Sequence, residues 1–171
     1  MTQYPEGFEG FLGGGYLEVT DKLRECGFFV GLMKGTTDWE QFRWLTSACF
    51  NAARAAIDWL ALGAFYAIPG EEQWSLERDD GAIATLGKYI LMEQNKKTGK
   101  VFAAPIHPLL KTLCAHRKVA AHEGPLWIWP EQVKHPNEFR LAGDDIGVLQ
   151  FAEDVLALLV RIQQELRPDL A

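Results

Sequence analysis

A short segment of the sequence, HRKVAAHEG at residues 116–124, contains side chains that can bind phosphates and transfer protons. Arg117 carries a permanent positive charge on a planar fork of N–H donors, which matches the geometry of a phosphate group. His122 carries an imidazole that gains or loses a proton near neutral pH, which suits a general acid or base. Five helical steps rotate by about 140°, so the two side chains are not on one strict face. Both can still border one groove, especially if the helix frays at Glu123 and Gly124. Arg117 and His122 are therefore a candidate catalytic pair.

Two other interpretations of this segment stay open. The first is electrostatic, because Arg117, Lys118 and His122 stand near the end of a predicted helix, where cations interact favourably with the helix dipole without any function. The second is a metal site, for which the candidate ligands are His107, His116, His122 and Glu123. The chain has no HExxH motif and its cysteines are not spaced for zinc, so we predict no metal and no other cofactor.

A polar stripe crosses a helix that is otherwise apolar nearly all round, predicted over residues 38–68. The stripe consists of Ser47, Asn51, Arg54 and Asp58, at spacings of 4, 3 and 4 that place them on one helical face. Arg54 and Asp58 can form an ion pair between successive turns. The stripe is either a solvent-side ion pair or a surface that faces Arg117, with Asn51 or Asp58 orienting the Arg–His pair.

Hydrophobic periodicity predicts helices over residues 16–33, 38–68, 81–94, 105 or 108 to 122, and 144–166. Thr37 is the predicted N-cap of the second helix. The segments LWIW and EFRLA predict a short β-hairpin near residues 126–141. We therefore expect an all-α, up-and-down bundle of four to five helices that forms one domain over residues 16–171, preceded by a flexible glycine-rich arm at 1–15.

Two tryptophans, Trp127 and Trp129, come directly after the Arg–His segment. Such aromatic residues are usually part of a core. The alternative is that these two wall the groove beside Arg117 and stack on bases.

Composition and charge narrow the classes of function. The chain of 171 residues has a formal net charge of −6, which argues against broad, non-specific binding to nucleic acid but leaves room for a local phosphate site. Its three cysteines, Cys26, Cys49 and Cys114, stand in apolar helical contexts and indicate buried thiols in a reducing compartment. The sequence predicts no signal peptide and no membrane span, so we expect a cytoplasmic protein.

The arginine, four intervening residues and histidine late in a helix resemble the motif of the HEPN domain (higher eukaryotes and prokaryotes nucleotide-binding). The alanine-rich run FNAARAAIDWL resembles the helix that precedes this motif in that group. The resemblance covers about residues 16–166. Two positions depart from the pattern. Lys118 stands where active members often have Asn, Asp or His. Gly124 stands where toxin-type members often have Tyr, which argues against that subtype.

The resemblance implies metal-independent cleavage of RNA at a homodimer interface, where two copies of Arg117 and His122 supply both an acid and a base. Such an endoribonuclease would act in stress or phage defence. The alternative is a non-catalytic dimeric module that binds a nucleotide or a partner protein as a sensor or regulator. A third hypothesis is a helical dimerisation module without a ligand.

Overall fold

A computed structural model describes residues 11–66, 81–120, 126–143 and 145–166 of the chain. Within these ranges the protein is mostly helical, with five α-helices and two small antiparallel sheets. The helices are α1 (Phe11–Met33), α2 (Trp39–Tyr66), α3 (Gly81–Leu86), α4 (Pro108–Lys118) and α5 (Val148–Leu166). One sheet pairs β1 (Ile90–Gln94) with β2 (Val101–Pro105), and the other has the order β3 (Ile128–Trp129), β4 (Arg140–Leu141), β5 (Ile146–Gly147).

Helix α2 is the central element of the bundle. It packs against α1, α3, α4 and α5 and also contacts both strands of the first sheet. Its buried apolar side chains are Phe42, Cys49, Phe50, Ala52, Ala53, Ala56, Ile57, Leu60, Ala61 and Ala64. The alanines allow neighbouring elements to approach the helix closely. The chain's own elements therefore bury most of the apolar side chains of α2 in the described residues, and Trp44 is an exception at 59% exposed.

The two long helices begin at different residues from those predicted. Asp38, rather than Thr37, caps α2, because Asp38 Oδ1 accepts a hydrogen bond of 2.8 Å from the backbone N–H of Gln41. Helix α1 begins at Phe11, five residues before the predicted start, so residues 11–15 are helical despite their glycines. Residues 1–10 of the predicted flexible arm lie outside the described residues.

The helix predicted over residues 81–94 is wrong beyond Leu86. The chain instead turns at Gly87 and forms the hairpin of β1 and β2, in which Ile90 pairs with Pro105 and Gln94 with Val101. Ile90 is buried while Leu91 is 43% exposed, as expected when successive side chains of a strand point to opposite faces. The pairing with β2, which local periodicity cannot show, decides the structure of this segment.

The hairpin predicted near residues 126–141 is present as β3 and β4, and β5 adds a third strand that was not predicted. Two contacts fix this sheet to the start of α2. Trp39 Nε1 donates a hydrogen bond of 2.7 Å to the carbonyl oxygen of Ile128. The ring of Phe139 stacks on that of Phe42, with their centroids 4.2 Å apart. The sheet is therefore part of the core of the bundle.

The fourth helix begins at one of its two predicted starts, its predicted end at 122 lies outside the described residues, and the fifth helix begins later than predicted. Helix α4 begins at Pro108, whose missing N–H and fixed φ suit the first turn, and ends at Lys118. Residues 121–125 lie outside the described residues. Helix α5 begins at Val148 rather than at 144, because Ile146 and Gly147 belong to β5. None of the helices in the described ranges has the length and apolar character needed to cross a membrane.

Candidate functional site

The polar stripe of α2 faces α4 and β2. Asn51 lies next to Arg117, and Arg54, one turn further along α2, lies next to Cys114, one turn earlier on α4. The two helices therefore run antiparallel, with their polar side chains in register. We call this surface the α2–α4 groove, defined by Asn51, Arg54, Asp58, Cys114 and Arg117.

Arg54 is occupied by contacts within the protein. Its Nε and Nη2 donate hydrogen bonds of 3.1 and 2.6 Å to the two carboxylate oxygens of Asp58, which forms the predicted ion pair. Its Nη1 lies 3.3 Å from Cys114 Sγ, and Nη2 also donates to the carbonyl oxygen of Ala103 at 3.2 Å. All three nitrogens of this guanidinium are bound, so Arg54 ties α2 to α4 and to β2.

The pKa of Arg54 reflects the same contacts. Burial by itself would lower this pKa, but the hydrogen bond to Cys114 and the charge of Asp58 outweigh it and raise the pKa above its ordinary value. Arg54 is therefore a permanently charged structural cation.

Arg117 is held differently, through one edge of its guanidinium. Its Nε donates a hydrogen bond of 3.1 Å to Oδ1 of Asn51, at the exposed end of the α2–α4 groove. Within the described residues this is the hydrogen bond that orients the side chain. A guanidinium held through Nε keeps its Nη1–Nη2 edge directed away from that partner, and this edge can bind two phosphate oxygens at once. Arg117 is therefore the arginine of the groove suited to an external anion.

The predicted supporting residues thus separate into two roles. Asn51 orients Arg117, whereas Asp58 is paired with Arg54 and does not contact Arg117 among the interactions of the described residues. Ser47 is half-buried one turn before Asn51 on α2. Lys118 is exposed on the last turn of α4. The stripe is neither a purely solvent-side ion pair nor a uniform site, because one end of it is structural and the other end faces Arg117.

His122, the predicted acid or base, and Glu123 lie outside the described residues. Of the other candidate metal ligands, His107 is the N-cap of α4, nine residues before His116 and so about 13 Å from it along the helix. His107 therefore cannot share a metal ion with His116. Within the part of the chain that the structure describes, no group of three or more His, Cys, Asp or Glu side chains could hold a metal.

Trp127 and Trp129 lie on the solvent face of the second sheet. Their side chains are 68% and 49% exposed, while Ile128 between them is buried, which follows the alternation of a strand. Arg140 is directly opposite Trp129 on β4, so its side chain shares this face. The sheet is anchored at Trp39, twelve residues before Asn51 and so about 18 Å from it along α2. The two tryptophans belong to an exposed face near the start of α2 and are not core residues.

Sequence reasoning missed Cys114 and the Ala103 carbonyl as partners of Arg54. Cys114 stands three residues before Arg117, and that spacing was the available signal that both share one face of α4. No comparable signal existed for Ala103, because its segment was not predicted to be a strand.

The α2–α4 groove presents Arg117 at its exposed end, and internal contacts of Arg54 close its other end. Searches of protein-family models, of curated proteins and of solved structures gave no match to this chain. The chemistry of these side chains is therefore the basis on which a function can be proposed.

Proposed function

We propose that the exposed end of the α2–α4 groove binds a phosphate group of RNA or of a nucleotide, and that the protein is a HEPN-like, metal-independent endoribonuclease that acts as a homodimer. The observation that carries this proposal is the hydrogen bond from Arg117 Nε to Asn51. It fixes the guanidinium at the end of α4 while leaving the Nη1–Nη2 edge to face a ligand. Preorganised cations of this kind are effective where negative charge develops in a transition state.

The proposed reaction combines Arg117 with His122. One His122 takes the proton of a ribose 2′-hydroxyl, whose oxygen attacks the neighbouring phosphorus. A second His122, from the other protomer, gives a proton to the leaving 5′-oxygen. Arg117 stabilises the charge that develops on the phosphate oxygens. The products are a 2′,3′-cyclic phosphate and a 5′-hydroxyl, and neither a metal nor another cofactor takes part.

The net charge of −6 favours a restricted substrate. A protein of this charge gains little from long stretches of phosphate backbone, so its affinity rests on a few local contacts. The alternative function, a non-catalytic module that binds a nucleotide or a partner protein, uses the same arginine but does not need the acid–base step. The two functions separate in an assay for RNA cleavage.

The test of the proposal is RNA cleavage in the presence of EDTA. We expect the purified protein to produce fragments with 2′,3′-cyclic phosphate ends, and we expect His122→Ala to lower the rate roughly 10²–10⁴-fold, the usual contribution of a positioned acid or base. Fragment ends are identified by mass spectrometry.

Three results of this assay would count against the ribonuclease. Cleavage that survives in His122→Ala would reveal a contaminant or a different catalytic group, and cleavage abolished by EDTA would indicate a metal-dependent reaction. A protein that binds but does not cleave RNA or nucleotides would be the non-catalytic module.

The exposed tryptophans extend this proposal to the bases of a bound strand. Base stacking on an aromatic ring contributes roughly 1–3 kcal/mol per base. We therefore expect Trp127→Ala and Trp129→Ala each to weaken binding of a single-stranded RNA oligonucleotide by at least about fivefold in Kd. Fluorescence anisotropy of a labelled oligonucleotide measures the effect.

The matched control for this test is Trp44→Ala. Trp44 is 59% exposed on α2, similar to the two sheet tryptophans, but it is not on the sheet. Equal losses of affinity in all three variants would indicate a general effect of exposed tryptophan rather than stacking on the sheet. Unchanged affinity in Trp127→Ala and Trp129→Ala would remove the sheet from the binding site.

A further inference from the structure

Two cysteines meet inside the protein, at the interface of α1 and α2. Cys26 Sγ and Cys49 Sγ are 3.4 Å apart, and the two side chains are 0% and 1% exposed. Cys49 Sγ also lies 3.9 Å from the backbone carbonyl oxygen of Cys26. A disulfide bond needs about 2.05 Å between its sulfurs, so the two sulfurs need to approach by roughly 1.4 Å to bond.

The hydrogen bond between the sulfurs gives the two thiols unequal character. It lowers the pKa of Cys26, against the opposing effect of burial, because the thiolate of Cys26 can accept the hydrogen of Cys49. The same hydrogen bond raises the pKa of Cys49, and burial raises it further. With Cys49 as the donor of this hydrogen bond, Cys26 is the nucleophile of the pair, and the Cys49 sulfur, 3.4 Å away, is placed to react with it in a second step.

We propose that Cys26 and Cys49 form a latent disulfide site, which cross-links α1 to α2 when the protein meets hydrogen peroxide. The thiolate of Cys26 attacks one peroxide oxygen, the O–O bond breaks, and the departing hydroxide combines with the thiol proton as water. Cys26 is left as a sulfenic acid. The sulfur of Cys49 then attacks the sulfur of Cys26, the S–O bond breaks, and the second hydroxide leaves with the proton of Cys49 as water. Two thiols are oxidised and one peroxide is reduced to two waters.

Burial sets the rate of this reaction and protects its product. Peroxide reaches the pair when α1 and α2 separate locally, so we expect Cys26 to react more slowly than the half-buried Cys114. Once the helices close, the core shields the disulfide from reducing thiols. We therefore expect the disulfide to form slowly and to be reduced slowly, so that it persists after the peroxide has been removed.

The proposed cross-link is independent of the phosphate site. Cys49 and Asn51 are two residues apart on α2, so their side chains point in directions that differ by about 200°. Cys49 faces α1, whereas Asn51 faces α4. The disulfide can therefore form whether or not Arg117 binds a phosphate.

The experiment uses the folded full-length chain with Cys114→Ser, which leaves the buried pair as the reactive thiols. The protein is treated with hydrogen peroxide, remaining thiols are alkylated in denaturant, and intact mass and peptide mapping follow. We expect the loss of two hydrogen atoms and a Cys26–Cys49 linkage. The cross-link closes a loop of about 24 residues and should raise the Tm by roughly 5–15 °C.

Cys26→Ser and Cys49→Ser, each in the Cys114→Ser background, are the matched controls and should form no disulfide and show no rise in Tm. Two results would overturn the proposal: complete alkylation of both thiols after peroxide treatment, or a lower Tm in the cross-linked protein. The second result would mean that the native packing of α1 and α2 does not accommodate the bond.

Discussion

Replacing Arg117 with alanine should lower the rate of RNA cleavage roughly 10²–10³-fold, which is the usual effect of removing one group that stabilises the charge of a transition state. The reason lies in how the side chain is held. Its Nε is bound to Asn51, so its other edge meets the phosphate without first losing conformational freedom. Single-turnover cleavage of an RNA oligonucleotide, with the variant and the natural protein compared at saturating enzyme concentration, measures the loss.

Two further variants separate the charge of Arg117 from its geometry. Arg117→Lys keeps the positive charge but loses the planar fork, so its rate should fall between those of the natural protein and Arg117→Ala. Asn51→Ala keeps the arginine but removes the partner that orients it, and a lost hydrogen bond of about 1–1.5 kcal/mol predicts a decrease of roughly tenfold. Asn51 would thus be a positioning residue, whose loss is partly recovered in Asn51→Asp, which keeps an oxygen acceptor.

The control for charge is Arg24→Ala, which removes an exposed arginine from α1, away from the groove. Its cleavage rate should match that of the natural protein. These variants change exposed or half-exposed side chains, so each should lower the free energy of unfolding by no more than about 1.5 kcal/mol, the contribution of one hydrogen bond. A rate for Arg117→Ala equal to that for Arg24→Ala would show that the end of α4 has no role in catalysis, and the arginine would then serve only the helix dipole.

The helices α1, α2 and α5 were predictable because each is a long segment rich in apolar, helix-compatible residues, and in α5 these residues also recur with helical periodicity. The polar stripe of α2 was also predictable, since spacings of 4, 3 and 4 define a helical face wherever the helix packs. The residues that contact the stripe could not be predicted in this way. Asn51 and Arg117 are 66 residues apart, and only the antiparallel packing of α2 and α4 brings them together.

The segment after Leu86 shows where local sequence fails. Its apolar residues fit a helical pattern, but Ile90 and the residues after it form a strand because β2 lies beside them and supplies the hydrogen-bond partners. That pairing is a tertiary interaction, and short apolar segments are compatible with both structures. Because this strand pairing was not predicted, the hydrogen bond from Arg54 to the Ala103 carbonyl oxygen was not predicted either. That hydrogen bond is one of the contacts that make Arg54 a structural residue.

The second large effect concerns the attachment of the tryptophan-bearing sheet. Phe139 is fully buried and stacks on Phe42 of α2, with 4.2 Å between the ring centroids. Removing such a side chain from a core costs both its burial and the cavity it leaves, so Phe139→Ala should lower the free energy of unfolding by about 3–5 kcal/mol. Urea denaturation followed by circular dichroism measures this decrease. An unchanged m value shows that the variant exposes the same amount of surface on unfolding as the natural protein.

Phe102→Ala is the matched control, because Phe102 is 40% exposed on β2 and the same substitution there should change stability by about 0.5 kcal/mol or less. Phe139→Leu keeps most of the volume and should lose about 1.5 kcal/mol or less. If Phe139→Ala were no worse than Phe102→Ala, the sheet could not be anchored in the core of the bundle. Trp127 and Trp129 would then lack the rigid support that stacking on bases requires, so this measurement of stability also bears on whether the sheet can serve as a binding face.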